Sequence, residues 1–440
     1  MNAPQADPQV AMREALAVWA KIGVLSFGGP AGQIALMHRT LVEERRWISE
    51  PRFLHALNFC MLLPGPEAMQ LATYAGWLMH GWRGGLAAGL LFVLPGAAVV
   101  TALSAIYAAF GSVPLVAALF FGVKAAVLAI VVEALMRIAR RALARRLDWA
   151  VAALAFVAMF AFNAPFPLVV MAAGLIGLMN LRPQPDAAGE TLSPVAVSRG
   201  GGLRQALATT ALWLAIWMVP LAALTLALGA DHVLSQAGLF FSKLAVVTFG
   251  GAYAVLAYMA QQAVENYGWL APGQMVDGLG LAETTPGPLI LVTVFVGFLA
   301  GWGSAGEPSL GMALAATVVT LWATFAPCFL WIFALAPYVE RLRGNRRLQG
   351  ALSAITAAVV GVILNLALWF GLHVLFGSLG EWSAGPLRLL VPELSSLDPA
   401  AAAIAVIAAV ALLRFHLGIP KTLALCAVLG LVARNLAGGL

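Results

Sequence analysis

Two stretches of sequence, KIGVLSFGGP at residues 21–30 and KLAVVTFGGA at residues 243–252, are copies of one another. The spacing that relates Lys21 to Lys243 also relates the Pro-Gly-Pro motifs at 64–66 and 286–288. From Lys21 to Pro66, 14 of 46 positions are identical to their counterparts. Because self-similarity at a fixed spacing indicates repeated structural units, the sequence predicts two homologous halves. The repeat continues beyond these motifs at a slightly wider spacing, at which Pro95 matches Pro327.

The composition is typical of membrane proteins. Hydrophobic residues make up 62% of the 440 residues and charged residues 10%, with a mean hydropathy of +0.92. Soluble domains carry about 25% charged residues, so this chain lacks the polar surface that a soluble globule needs. Apolar stretches of about 18 residues or more recur along the chain, and each is long enough to cross a bilayer. We therefore predict an all-α polytopic membrane protein.

Several kinds of site are not expected. Cys60, Cys328 and Cys426 lie far apart in apolar surroundings, with neither a disulfide pattern nor the spacing of metal ligands. Zinc-protease, serine-hydrolase and Walker motifs are absent, which predicts no enzyme, no cofactor and no ATP hydrolysis. The net charge of +6 is modest, and its distribution indicates membrane topology rather than nucleic-acid binding. The polar N-terminus predicts no cleavable signal peptide.

The apolar segments divide the chain into three parts. Residues 1–181 form the first repeat, residues 182–234 a polar linker with one additional membrane helix near 206–229, and residues 235–440 the second repeat. The first repeat contains apolar segments near 13–38, 53–80, 84–110, 112–136, 147–163 and 165–181. The second contains segments near 235–262, 273–300, 309–338, 348–374, 399–413 and 419–433.

Charge placement predicts how the repeats cross the membrane. With an even number of crossings in each repeat, the single helix between them inverts the second copy. If the N-terminus is cytoplasmic and every segment spans the membrane, the basic loop with Arg39, Arg45, Arg46 and Arg52 lies outside the cell. That position contradicts the positive-inside rule. If the first two segments of each repeat are re-entrant hairpins, that loop is cytoplasmic. We therefore favour four re-entrant hairpins and about nine spanning helices, with thirteen full spans as the alternative.

The paired motifs interrupt helices. Proline removes an N–H donor and glycine adds flexibility, and the freed backbone groups must face protein or a water-filled cavity. Each break also creates helix N-termini, which bind anions. Simple packing kinks are the alternative, and the duplication in register argues against them. The predicted substrate-binding residues at the breaks are Gly28, Gly29, Pro30, Pro64, Gly65, Pro66, Gly250, Gly251, Pro286, Gly287 and Pro288.

Polar side chains near the breaks extend this prediction. The hydroxyl of Thr285 can donate to an oxyanion, and Lys21 and Lys243, repeated two turns before the Gly-Gly pairs, raise the local potential. The alternative for the two lysines is snorkelling to the membrane surface. Glu67 and Glu283 suit proton coupling because a carboxyl buried in a membrane readily holds a proton.

Lys124 is a further coupling candidate, because a cation in the middle of an apolar segment is costly. Its alternative role is structural pairing. Glu133 follows on the opposite face of the same helix, so the two side chains are not expected to pair directly.

The motifs as a set resemble those of the chromate ion transporter family in its long, two-domain form. The resemblance covers nearly the whole chain and is carried by FGGP at Phe27 to Pro30, EERRW ending at Trp47, LLPGPEA at Leu62 to Ala68, FVLPG at Phe92 to Gly96, and the second-half runs VVTFGGAYAVL, AQQAVENYGW and GLAETTPGPL. It implies two homologous halves of opposite orientation. It also implies export of chromate from the bacterial cytoplasm, driven by the membrane potential or a proton gradient.

These observations predict a secondary transporter in the bacterial inner membrane, with a cytoplasmic N-terminus, that exports chromate and confers chromate resistance. Chromate resembles sulfate in shape and charge, so a sulfate or other oxyanion transporter is the first alternative. An anion channel and a membrane scaffold or lipid-handling protein are further alternatives. The expected partners are the anion and the lipid bilayer, with a homodimer suggested by analogy to other inverted-repeat transporters.

Overall fold

The computed structural model describes residues 10–179, 203–249, 252–304, 306–336, 346–436 and 438. The first half contains α1 (Met12–Val24), α2 (Gly29–His38), α3 (Glu50–Cys60), α4 (Glu67–Phe110), α5 (Pro114–Ala142), α6 (Arg146–Phe162) and α7 (Phe166–Met179). The additional helix is α8 (Leu203–Leu228). The second half contains α9 (Val233–Val247), α10 (Ala252–Ala260), α11 (Pro272–Thr284), α12 (Val292–Trp302), α13 (Leu310–Leu335), α14 (Arg346–Leu375), α15 (Pro399–Leu413) and α16 (Ile419–Leu436).

This architecture confirms an all-α polytopic membrane protein. Among the described helices, six contain stretches long and apolar enough to cross a membrane, within α4, α5, α8, α13, α14 and α16. Helices α6, α7 and α15 have 17, 14 and 15 residues, fewer than the roughly 20 of a full crossing, so their spanning stays a prediction. The polar linker falls mostly on residues outside the described ranges.

The predicted breaks divide the early segments of each half into short helices. Helices α1 and α2 have 13 and 10 residues, and α9 and α10 have 15 and 9. A full crossing requires about 20 residues, so none of these helices spans a membrane alone. The breaks therefore interrupt the helices at the predicted residues, and their position at the depth of the bilayer stays a prediction.

Two contacts show that the broken segments of the first half fold back as hairpins. Arg45, beyond the end of α2, donates to Glu14 at the start of α1 over 2.9 Å. The Nε2 atom of His80 lies 2.7 Å from the carbonyl oxygen of Val10, just before α1. Both hairpins thus return to the face where α1 begins. This geometry favours re-entrant hairpins over thirteen full spans.

Helix α4 contains the return of the second hairpin. His80 and Gly81 have non-helical backbone angles, and Gly81 has φ +62°, a conformation that favours glycine. A Cβ atom on Gly76 would lie 2.4 Å from the carbonyl oxygen of Gly84. The arms 67–79 and 82–110 are therefore packed against each other and run in opposite directions.

The two halves pack together through small residues. Helix α14 lies against α6 and α7, while α15 and α16 lie against α5. A Cβ atom on Gly122 of α5 would lie 1.8 Å from the carbonyl oxygen of Cys426, and one on Gly361 of α14 would lie 2.0 Å from that of Ala152. Membrane helices commonly associate through such close backbone contacts because hydrophobic burial contributes little within lipid.

Two features differ from the predicted elements. Strands β1 (Leu379–Ala384) and β2 (Leu387–Pro392) form an antiparallel hairpin between α14 and α15, which the sequence analysis did not predict. The predicted basic loop after α2 is partly helical, because residues Arg39–Glu44 continue α2 as a π-helix. The corresponding residues Gln261–Asn266 continue α10 in the same way, so the repeat extends to this detail.

Candidate functional site

Each Pro-Gly-Pro break contacts the broken helix of the opposite repeat. The amide nitrogen of Gly65 donates to the carbonyl oxygen of Thr248 over 2.8 Å. The amide nitrogen of Gly287 donates to the carbonyl oxygen of Ser26, also over 2.8 Å. Gly65 and Gly287 are repeat counterparts, as are Ser26 and Thr248, so the two contacts are equivalent in the repeat. The polar backbone groups freed at one break therefore bind those freed at the other.

Proline-containing helices pack directly against both breaks. A Cβ atom on Gly96 of α4 would lie 2.2 Å from the carbonyl oxygen of Pro286. A Cβ atom on Gly65 would lie 3.0 Å from Sγ of Cys328 in α13. Gly96 and Cys328 each follow a helical proline and are counterparts at the wider repeat spacing. We call this set of contacts the break core, formed by residues 26, 65, 96, 248, 286–287 and 328.

Two glutamines donate hydrogen bonds to the backbones of the Pro-Gly-Pro motifs. The sequence analysis did not predict this role. Gln33 donates from Nε2 to the carbonyl oxygen of Gly287 over 2.5 Å, and Gln70 donates to that of Pro64 over 2.6 Å. The Oε1 atom of each amide is buried without a partner among the described residues. Their repeat counterparts are Val255 and Val292, so the two half-sites differ chemically.

New helices begin at the breaks, as predicted. Gly28 has a left-handed backbone and precedes α2, which starts at Gly29 with Pro30 in its first turn. Pro66 precedes α4. In the second half, Pro288 is buried and precedes a 3-10 turn, Leu289–Leu291, that leads into α12. Gly250 and Gly251 lie outside the described residues.

The hydroxyl groups near the breaks are mostly engaged with their own helices. Thr285 donates to the carbonyl oxygen of Ala282 over 3.1 Å, and Thr248 donates to that of Leu244 over 2.6 Å. Contact between the Thr285 hydroxyl proton and an anion would require rotation of this side chain. The Oγ of Ser26 is buried and has no partner among the described residues.

The two repeated lysines are exposed on the surface of the isolated chain. Lys21 lies in the last turn of α1. Lys243 of α9 lies with its ammonium group 5.9 Å from the ring centroid of Tyr258, a cation–π distance. The structure therefore places both beside the broken helices but does not bring either into the break core.

The acidic side chains are not equivalent in the two repeats. Glu67 is half-buried at the start of α4, and Glu283 is 4% exposed near the end of α11. Tyr253 donates its hydroxyl proton to Glu283 over 2.5 Å. The counterparts of these carboxylates are Leu289 and Met61, so neither is repeated.

Lys124 has a partner that the sequence analysis missed. Its Nζ atom lies 3.2 Å from Oδ2 of Asp277 in α11, whereas Glu133 pairs with Arg137. The signal that could have revealed Asp277 is an acidic residue within the apolar segment 273–300.

A cavity of about 430 Å³ lies between the β-hairpin, α6, α14 and the π-helical turn after α10. Its polar lining includes Asn163, Glu265, Asn365, His373 and Arg388. The surrounding protein raises the pKa of Glu265 by desolvation, while Asn163 and Trp369 act in the opposite direction. No group of His, Cys, Asp and Glu side chains in the described part of the chain could hold a metal ion.

Broken helices whose ends contact one another inside a polytopic membrane protein are typical of transporters. The chain belongs to the chromate transporter family, a family of transporters rather than enzymes. The model of that family, described as "Chromate transporter", matches residues 13–178 and 235–431.

Relatives with chromate transport in their names cover most of the chain. The chromate transport protein of Pseudomonas aeruginosa is 35% identical over 363 residues, which cover 81% of this chain and 80% of the relative. The chromate transport protein of Cupriavidus metallidurans is 28% identical over 428 residues, which cover 97% and 94% of the two chains. A probable chromate transport protein of Synechococcus elongatus is 29% identical over 366 residues, 83% of this chain and 86% of the relative. No solved structure matches the chain.

Proposed function

We propose that this protein is a secondary active transporter that exports chromate across the bacterial inner membrane and thereby confers chromate resistance. The observation that carries the proposal is the break core, in which each Pro-Gly-Pro motif binds the broken helix of the other repeat. These contacts lie within a few residues of the N-termini of α2 and α4, and helix N-termini bind anions. Chromate as the substrate is supported by the names of the relatives.

The anion would bind at the break core beside the backbone N–H groups of Gly28 and Gly29, with Gly250 and Gly251 as the predicted counterpart. The N–H groups of Gly65 and Gly287 already donate to Thr248 and Ser26 and would hold the two breaks together. Lys21 and Lys243 would raise the electrostatic potential along the approach to these groups. Glu67 and Glu283 would exchange protons during the cycle. Because the core contacts join opposite repeats, a rocking movement of one repeat against the other would open and close the site.

The charge distribution supports a cytoplasmic N-terminus. Arg45 and the start of α1 lie on the same face, and the nearby Arg39, Arg46 and Arg52 favour a cytoplasmic position for that face. The second repeat would then be inverted, with its hairpins entering from the outside. A homodimer stays a prediction.

Transport into everted membrane vesicles tests the proposal. Vesicles that contain the protein should accumulate chromate when they are energised, and an uncoupler should abolish this accumulation. Vesicles that lack the protein provide the control, and unlabelled sulfate tests whether the site distinguishes the two dianions. Equilibration without dependence on energy would indicate a channel. No uptake in vesicles with correctly inserted protein would contradict chromate export.

A further inference from the structure

Asp277 forms a polar cluster that joins the two repeats outside the break core. Its Oδ2 atom accepts a hydrogen bond from the hydroxyl of Tyr107 over 2.7 Å and lies 3.2 Å from Nζ of Lys124. Asp277 belongs to α11 of the second repeat, whereas Tyr107 and Lys124 belong to α4 and α5 of the first. Any movement of one repeat against the other therefore changes these distances.

The cluster combines a buried anion with an accessible cation. Asp277 is 2% exposed, and its Oδ1 atom is buried without a partner among the described residues. The side chain of Lys124 is 30% exposed. A buried carboxylate is costly unless it is paired, so loss of Lys124 as a partner favours uptake of a proton.

The cluster lies toward the face opposite the start of α1. The second arm of α4 begins next to His80, beside Val10, and extends to Phe110. Because an α-helix rises about 1.5 Å per residue, Tyr107 lies roughly 40 Å from that turn along the helix. In the proposed orientation this is the outer side of the membrane.

The corresponding place on the cytoplasmic side has different chemistry. The repeat counterpart of Asp277 is His55, at the spacing that relates Lys21 to Lys243. The counterpart of Lys124 is Thr356, at the wider spacing found beyond the Pro-Gly-Pro motifs. A histidine and a threonine cannot form a carboxylate–ammonium pair. The ion pair therefore connects the repeats at one end of the molecule and has no equivalent by symmetry.

Few other charged groups approach Asp277. Helix α12, which packs against α11, has no ionisable side chain. On the other neighbouring helices, Arg434 of α16 stacks over Phe121, and His373 of α14 lies 2.9 Å from the carbonyl oxygen of Trp369. Lys421 of α16 is exposed, and Glu283 of α11 itself accepts from Tyr253. Lys124 and Tyr107 are thus the groups that control the charge of Asp277.

We propose that Lys124 and Asp277 form an exchangeable pair that couples export of the anion to entry of a proton. The outgoing dianion takes the place of Asp277 beside the Lys124 ammonium, and Asp277 accepts one proton at its carboxylate from the outer side. After the anion leaves, Asp277 releases this proton towards the cytoplasm, and the ion pair forms again. At this pair, one proton enters through Asp277 for each anion that leaves. This inference rests on the proposed function and assigns the residues of one of its proton-coupling steps.

The test separates coupling from binding in everted vesicles. Wild-type uptake of chromate should decrease when nigericin removes the pH gradient, even while the membrane potential is maintained. Asp277→Asn should keep exchange of labelled for unlabelled chromate and lose the component of uptake that depends on the pH gradient. Thr356→Val, at the counterpart of Lys124, provides a matched control and should keep that component.

The two assays of Asp277→Asn, pH-driven uptake and chromate exchange, each provide an outcome that contradicts the proposed coupling. Asp277→Asn with pH-driven uptake equal to wild type would overturn the inference, as would a correctly inserted variant that has lost exchange. If Asp277→Asn does not insert, Tyr107→Phe replaces it, because this change removes the donor that stabilises the charged carboxylate. It should shift the pH profile of uptake to higher pH, and an unchanged profile would contradict the proposal. Absence of uptake by the wild-type protein would instead refute the proposed function, and the inference with it.

Discussion

The amide nitrogen of Gly287 donates to the carbonyl oxygen of Ser26 over 2.8 Å, although the two residues belong to different repeats. The contact of Gly65 with Thr248 repeats this relationship with the halves exchanged. A backbone hydrogen bond between two interrupted helices gives partners to groups that would otherwise face lipid, where each costs several kcal/mol. The breaks of each half therefore depend on the other half, and neither half can provide this site alone.

Close packing at Gly96 should be essential for the break core. In Gly96→Ala the added Cβ would lie 2.2 Å from the carbonyl oxygen of Pro286. Overpacking of this kind costs about 1–3 kcal/mol, so we expect a lower melting temperature and reduced transport. Gly311→Ala is the control, because no heavy atom lies within 4 Å of the added Cβ. Equal melting temperatures for the two variants would contradict this packing.

The Gln33 amide should hold the second Pro-Gly-Pro motif in place. Gln33→Met keeps much of the side-chain volume but removes the donor to the carbonyl oxygen of Gly287. A buried acceptor left without its partner costs about 1–3 kcal/mol, so thermal stability in detergent should decrease. The exposed Gln205 gives a control, and Gln205→Met should leave the melting temperature unchanged. A stable Gln33→Met variant with full transport would exclude this role.

The repeated lysines should act through their charge. Lys21→Ala and Lys243→Ala should each lower the rate of transport at low ionic strength, and added salt should reduce the difference from wild type. Lys421→Ala removes an exposed cation at the start of α16 and should have little effect. Initial rates of transport at several salt concentrations measure how the difference between each variant and wild type depends on ionic strength. If both variants transport at the wild-type rate with normal expression, the two lysines only anchor their helices at the membrane surface.

Glu265 should make stability depend on pH. Its pKa is raised in the folded protein, chiefly by desolvation, so its favourable contribution is complete below the pKa of the unfolded chain. That contribution is lost as the pH rises through the higher folded value. Glu265→Gln should therefore gain stability relative to wild type across this window. The gain should be small because the side chain is exposed to the cavity. Melting temperatures that change in parallel with pH would contradict this expectation.

Sequence alone was sufficient to predict the breaks, because proline and glycine disrupt helices locally and the repeat spacing reveals their duplication. It did not reveal that Gly65 lies against Thr248, since pairing between repeats depends on how the halves pack. The β-hairpin was not predicted either, because Leu379–Ala384 and Leu387–Pro392 lie between two predicted apolar segments and neither shows a strict alternation of apolar and polar residues. Lys124 was recognised from its position in an apolar segment, but Asp277 has a different counterpart, His55, and no repeat pattern indicated it.

The most direct test of the central claim is chromate transport by the purified protein in liposomes under an imposed membrane potential. A potential that is positive inside the liposomes should drive accumulation of chromate, and Gly96→Ala should reduce it while Gly311→Ala should not. Liposomes without protein set the baseline. Accumulation that is high for wild type and Gly311→Ala and lower for Gly96→Ala would support chromate transport through the break core. Wild-type liposomes that do not exceed the baseline, with the protein folded and inserted, would contradict it.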